Sequence, residues 1–110
     1  MSRAQAVERI EAYFDDGGFV EDLTRRVAIK TESQNPERHA VLMTYLTGEM
    51  QPTLDAMGYD CQILDNPAPG RGPFLLAQRH ESDDLPTMLM YGHGDVVNGY
   101  DEQWREGLSP

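Results

Sequence analysis

Met88-Leu89-Met90-Tyr91-Gly92-His93-Gly94-Asp95-Val96-Val97 joins an apolar run to a glycine-flanked histidine, with an aspartate two residues on. Thr87 to Tyr91 reads as a strand, and its lack of polarity predicts a central, buried place in a sheet. On an extended backbone, residues two apart point to the same side. His93 and Asp95 are therefore expected to share one pocket at the strand's carboxyl end, the edge where open α/β sheets place ligands. Gly92 and Gly94 remove side chains on either side of the histidine. That leaves room for a ligand and permits backbone angles that other residues resist.

Upstream, Ser2-Arg3-Ala4-Gln5 fits a capping box, and Val7, Ile10 and Phe14 follow on one face of a short helix. Asp15-Asp16-Gly17-Gly18 breaks it. Phe19, Leu23 and Val27 repeat at helical spacing and predict a second helix to about Ile29, before a polar loop over Thr31 to Asn35. Asn35-Pro36-Glu37 starts a third helix, with Asn as N-cap and Pro at the first helical position. Its apolar face runs through Leu42, Tyr45, Leu46, Met50, Leu54 and Met57, and Gly58 ends it. Pro52 lies inside and crowds the carbonyl of Gly48, which predicts a kink rather than two helices. The methionines at helical spacing are core filler.

Tyr59 to Leu64 alternates and reads as a strand. Asp65 to Gly72 is a turn-rich connection, Phe74 to Gln78 a second strand, and Glu81 to Asp84 an acidic loop. After the third strand, Val96 to Pro110 reads as a long loop. Three helices followed by three strands predict an α/β fold with helices packed on a sheet, at least one strand pair being antiparallel. No later helix would cover the second face of the third strand, as expected for the first piece of a larger domain.

The chain has 110 residues, enough for one domain with a small core. Its net charge of -10, with nine scattered basic residues, argues against nucleic acid or an anionic membrane as a partner. No apolar run approaches the roughly 20 residues of a membrane span, and the N-terminus lacks a signal-peptide apolar region, so a cytoplasmic location is the default. Cys61 is the single cysteine, expected as a buried, inert thiol in a strand.

Imidazole is the commonest metal ligand, and its second nitrogen is often held by a carboxylate. One histidine and one aspartate do not complete a catalytic zinc site, which needs about three protein ligands. His39 and His80 stand at unhelpful spacings and read as surface or satisfied histidines. Residue types alone leave His93 open between a ligand or catalyst and a turn histidine. There is no Gly-x-Ser-x-Gly elbow and no phosphate loop. A dinucleotide fingerprint would need glycine where Val97 stands.

The segment Leu89 to Val97, preceded by Pro86-Thr87 and followed by Trp104 and Ser109-Pro110, resembles the first signature of the aminoacylase / carboxypeptidase-G-type metallopeptidase family. Acetylornithine deacetylase, succinyl-diaminopimelate desuccinylase and dipeptidases belong to that family. The upstream order of helices and strands looks similar too. The resemblance implies the N-terminal part of a zinc-peptidase-like catalytic domain, incomplete here, with helices on a mixed sheet. The rest of the catalytic domain and a dimerisation domain would lie beyond Pro110. It implies that His93 binds one of two metals, usually zinc, with cobalt or manganese as alternatives, and that Asp95 is the catalytic aspartate supporting it. The implied reaction is hydrolysis of an amide bond in a small peptide or N-acyl amino acid by metal-activated water, with a glutamate as general base. The full-length protein would be a homodimer. Asn98, where the family commonly has proline, and the long gap from Trp104 to Pro110 depart from the pattern and bear on substrate access. The competing expectation is a non-catalytic fragment or binding module that keeps the fold without the chemistry. A metal-independent amidohydrolase using His93 as base has no nucleophile partner at a recognisable spacing.

Overall fold

The computed structural model describes residues 1–109, so Pro110, which closes the resembling segment, lies outside the described residues. The chain divides into two compact units, residues 1–29 and the residues from Lys30 onward.

The first unit is a helical hairpin. Helix α1 (Arg3–Asp15) has the expected capping box: the Gln5 N–H donates to Ser2 Oγ at 3.3 Å, and the Ser2 N–H donates to Gln5 Oε1 at 2.8 Å. Gly17, at φ +85°, turns the chain into α2 (Gly18–Val27), which stops two residues short of the expected Ile29. The Tyr13 hydroxyl donates to the Asp22 carboxylate across the hairpin, and Arg25 pairs with the same carboxylate at 2.7 Å. The Tyr13 bond holds Asp22 below the usual carboxylate range, and the same bond pushes Tyr13 up. Phe14 and Phe19 bring their ring centroids to 5.7 Å. The apolar faces form at the expected spacing, yet no residue of α1 or α2 is buried. Capping, one short hydrogen bond and ring contacts hold this hairpin.

In the second unit, a 3-10 turn (Pro36–Arg38) leads into α3 (His39–Tyr45), and Asn35 Oδ1 accepts from the Glu37 N–H at 3.1 Å. A π turn (Leu46–Met50) follows, and then α4 (Gln51–Ala56). The expected single helix is thus one unbroken run of helical residues, interrupted in hydrogen-bond pattern by the π turn. The cause is local. Pro52 has no N–H and its ring would collide with the Gly48 carbonyl, and widening the preceding turn relieves that collision. The helix ends as expected at Gly58, at φ +82°. The Tyr59 N–H bonds the Leu54 carbonyl at 3.1 Å and the Gly58 N–H bonds the Asp55 carbonyl at 2.9 Å, which is the Schellman arrangement.

Strands β1 (Asp60–Leu64) and β2 (Phe74–Gln78) pair antiparallel in the register Asp60↔Gln78 to Leu64↔Phe74. Burial alternates along both, and the register puts half-buried Cys61 and Ile63 opposite Ala77 and Leu75 on one face. Cys61 is half-buried rather than buried, and desolvation, ahead of neighbouring Asp55, pushes its thiol up, away from the reactive thiolate. Leu42 on α3 is the one apolar side chain buried among the described residues, at 8% exposure. The connection between the strands closes over it: a Cβ on Gly72 would sit 2.9 Å from Leu42 Cδ1.

The expected third strand does not form. Thr87 to Tyr91 makes no ladder, and Met88, Leu89, Met90 and Tyr91 are 71–93% exposed. The sheet is two-stranded and antiparallel, so the expected mixed sheet with a central third strand is corrected. An apolar run states a demand for cover, and only neighbouring elements can supply it. The α/β class holds in its coarser form, with helices and a small sheet in one chain.

Gly58→Ala should cost about 1–2 kcal/mol, because a Cβ resists the left-handed conformation that the Schellman turn requires. Urea unfolding checks this: the midpoint should fall at unchanged slope.

Candidate functional site

The site is assembled by two stretches far apart in sequence. Thr31 to Ser33 lies alongside Gly94 to Val96, with a parallel bridge between Glu32 and Val96. The Val96 N–H donates to the Thr31 carbonyl at 2.9 Å, and Thr31 Oγ1 donates to the Gly94 carbonyl at 2.6 Å. Thr31 is 3% exposed, so its hydroxyl must be satisfied within the protein, and the Gly94 carbonyl does this. Glu32 extends the contact. Its Oε1 accepts from the Gly99 N–H at 2.7 Å, and its Oε2 faces Arg38 Nε at 3.6 Å. Beyond it, Lys30 pairs with Asp101, and Trp104 Nε1 donates to the Gly99 carbonyl at 2.7 Å.

His93 and Asp95 meet as their spacing predicts. His93 Nδ1 lies 3.1 Å from Asp95 Oδ1 and 3.2 Å from the Asp95 carbonyl oxygen. A carbonyl can only accept, so these two neighbours together assign the proton to Nδ1 and leave the lone pair on Nε2. The other carboxylate oxygen, Oδ2, accepts from Ser33 Oγ at 2.7 Å. The Ser33 hydroxyl holds Asp95 below the usual carboxylate range; partial burial opposes this, and His93 adds to it. Both side chains remain open to solvent, at 67% exposure for His93 and 47% for Asp95.

These groups line a cavity of about 350 Å³, whose wall also includes Tyr45, Asn66, Arg71, Phe74 and Tyr91. Asn66 holds part of the wall in place, donating to the Gly72 carbonyl at 3.0 Å and accepting from the Ala68 N–H at 2.9 Å. Arg71 is the one Lys or Arg on the wall, and Asp95 the one carboxylate. The wall therefore carries one charge of each sign.

The two glycines beside His93 do not use the backbone freedom expected of them. Neither takes a positive φ. Around Gly92 there is open space. At Gly94 a Cβ would run into the Tyr45 ring, within 2.8 Å of Cζ and 3.0 Å of the hydroxyl oxygen. Gly94 is small because α3 delivers Tyr45 to that spot.

The donor set matches the zinc pair that the sequence resemblance implies at one position. His93 fits as one ligand, since its Nδ1 is held by a carboxylate and its Nε2 is open. Among the described residues, no three His, Cys, Asp or Glu side chains converge to hold a metal. Of the donors such a pair needs, His93 is the one the cavity offers with a free ring nitrogen. His80 pairs with Asp83 at 3.2 Å, and neither His80 nor His39 lies on the cavity wall. Sequence reading missed Thr31 and Ser33, taking them as plain loop. Their small hydroxyl side chains give no periodic signal, and only their pairing with residues about sixty positions away reveals a role.

A scan against protein-family models, a search of curated proteins and a search of solved structures each find no match to this chain. Among the described residues, no helix is long and apolar enough to cross a membrane.

Gly94→Ala should cost about 1–3 kcal/mol by overpacking against Tyr45, and a double-mutant cycle with Tyr45→Ala should recover part of it. The pH dependence of Asp95 has a definite sign. Its folded pKa is depressed, so its contribution is present above the ordinary value of about 3.9 and is lost as pH falls through the lower folded value. Carboxyl-carbon NMR titration should show Asp95 ionising below the ordinary range.

Proposed function

We propose that this chain contributes the His93–Asp95 corner of a metal-dependent hydrolase of the aminoacylase / carboxypeptidase-G type, cleaving an amide bond in a small peptide or N-acyl amino acid. The observation that carries the reading is the pairing of His93 Nδ1 with Asp95 at 3.1 Å, which leaves Nε2 unengaged beside the cavity. That is how a carboxylate orients a ligating histidine and raises its basicity. In this reading His93 holds one metal ion and Asp95 keeps the imidazole in the tautomer that can bind it.

Zinc, with cobalt or manganese as alternatives, would supply an acidified water and a Lewis acid. The remaining ligands and the general-base glutamate would come from residues outside this chain. Within it, Ser33 and His93 hold the Asp95 carboxylate from two sides. Tyr91 and Phe74 offer apolar wall, and Arg71 offers a cation to a charged substrate end. A cavity of about 350 Å³ matches a small substrate rather than a folded protein. We assign the reaction to the cytoplasm and the complete protein to a homodimer, on the family resemblance.

A second reading has its own observation. Met88 to Tyr91 is 71–93% exposed, an apolar extended stretch of the kind that partner strands cover. On its own, residues 1–110 would then act as a non-catalytic binding module.

The test is metal content and hydrolysis of N-acyl amino acids by the protein that the complete reading frame encodes. His93→Ala should remove about one metal ion per chain and lower kcat/KM by at least about 100-fold. Unchanged metal content and turnover in that variant would exclude the hydrolase reading. Turnover by isolated residues 1–110 with zinc would exclude the binding module.

A further inference from the structure

We infer that Ser33 is a positioning residue for His93, acting through Asp95 to set which imidazole nitrogen faces the cavity. The inference rests on the hydrolase reading only in taking Nε2 as the working atom, and it gives Ser33 a role in the histidine tautomer that the hydrolase reading does not assign.

Asp95 uses its two carboxylate oxygens in different directions. Oδ1 accepts from His93 Nδ1 at 3.1 Å, and Oδ2 accepts from Ser33 Oγ at 2.7 Å. The torsion that orients a carboxylate is broad and roughly two-fold, so a single partner leaves the group free to turn. A second partner on the other oxygen fixes the plane. His93 and Asp95 are close in sequence and ride on the same extended segment, so their mutual contact alone cannot refer the imidazole to the rest of the protein. Ser33, 62 residues away, provides that reference.

Ser33 is itself held. The neighbouring Glu32↔Val96 bridge and the Thr31 bonds to Gly94 and Val96 fix the backbone on either side of the pair. The hydroxyl has one proton to give, and Asp95 receives it. With Oδ2 taken by Ser33, Oδ1 faces His93 as an acceptor, which keeps the imidazole proton on Nδ1. Without Ser33, Asp95 can rotate away from the ring. A neutral imidazole released to water carries its proton mainly on Nε2, and that nitrogen is then blocked for a metal ion or for accepting a proton.

The experiment reads the tautomer directly, without metal or turnover. Long-range ¹H–¹⁵N correlation spectra of the labelled 110-residue chain are recorded in alkaline buffer. His39 and His80 serve as internal references. The wild-type chain should show His93 protonated on Nδ1. Ser33→Ala should move it toward the Nε2-protonated pattern, as Asp95→Ala does. Ser33→Thr, which keeps the hydroxyl, should restore the wild-type spectrum, and Ser33→Cys, a weaker donor, should fall between. His93 shifts unchanged in Ser33→Ala while Asp95→Ala moves them would overturn the inference. So would identical spectra for the Thr and Cys variants, which decides the matter even if the Ala variant fails to fold. Zinc chloride titration of the same substitutions, made in the protein that the complete reading frame encodes, separates the two levels. Zinc affinity about tenfold weaker in Ser33→Ala supports both readings. A tautomer response with no zinc binding by any variant sinks the hydrolase reading and leaves the role of Ser33 intact.

Discussion

The contact between Thr31–Ser33 and Gly94–Val96 is the constraint on which the candidate site depends. It consists of a parallel bridge, to which the Val96 N–H bond to the Thr31 carbonyl belongs, and two side-chain bonds from Thr31 and Ser33, all between residues more than sixty positions apart. Closing so long a loop costs chain entropy, which these three bonds of modest individual strength must offset together. Their arrangement makes them cooperative. The backbone bonds align the two segments, and the alignment brings Ser33 to Asp95 and so steadies His93. Glu32 spreads the same contact to Gly99 and Arg38, so the loop that follows the site is tied to the segment that supports it.

The packing around that contact is thin. Leu42 is the one buried apolar side chain among the described residues, and the long apolar stretch before His93 is open to water. At about 25 cal/mol per Å² of apolar surface, exposed side chains of this size leave much hydrophobic stabilisation unrealised. The second unit is held by local devices: the Asn35 cap, the π turn that accommodates Pro52, the Schellman turn at Gly58 and the β1–β2 hairpin. Each is closed by residues near one another in sequence, and each forms without a large core.

The chemistry follows from where the polar groups can reach. His93 and Asp95 sit on a solvent-open segment, so a ligand can enter without displacing structure. Their mutual bond fixes the proton on Nδ1 and leaves one lone pair to offer. That pair is useful to a metal ion or to a proton in flight, and its direction is set by Ser33 from outside the segment. Tyr45 limits the space next to Gly94 and Arg71 adds a positive charge to the cavity wall, so size and charge of a ligand are both restricted.

The sequence by itself determined everything whose cause is local. The capping box at Ser2, the break at Gly17, the Asn35-Pro36 start, the end at Gly58, the extent of β2 and the meeting of His93 with Asp95 all follow from spacing, turn chemistry and backbone alternation. It could also mark Pro52 as a disturbance, although a π turn and a kink satisfy the same steric demand. Tertiary structure alone decided what required a partner. Whether Met88 to Tyr91 becomes a strand depends on a neighbouring edge, and no pattern within the run can state whether one is present. Whether Thr31 and Ser33 are loop or support depends on residues about sixty positions away, and hydroxyl side chains carry no periodicity to announce it. The reason for Gly94 is the Tyr45 ring, delivered by a different element. Local torsions and local hydrogen bonds are encoded in adjacent residues; long-range contacts exist only once the chain has closed upon itself.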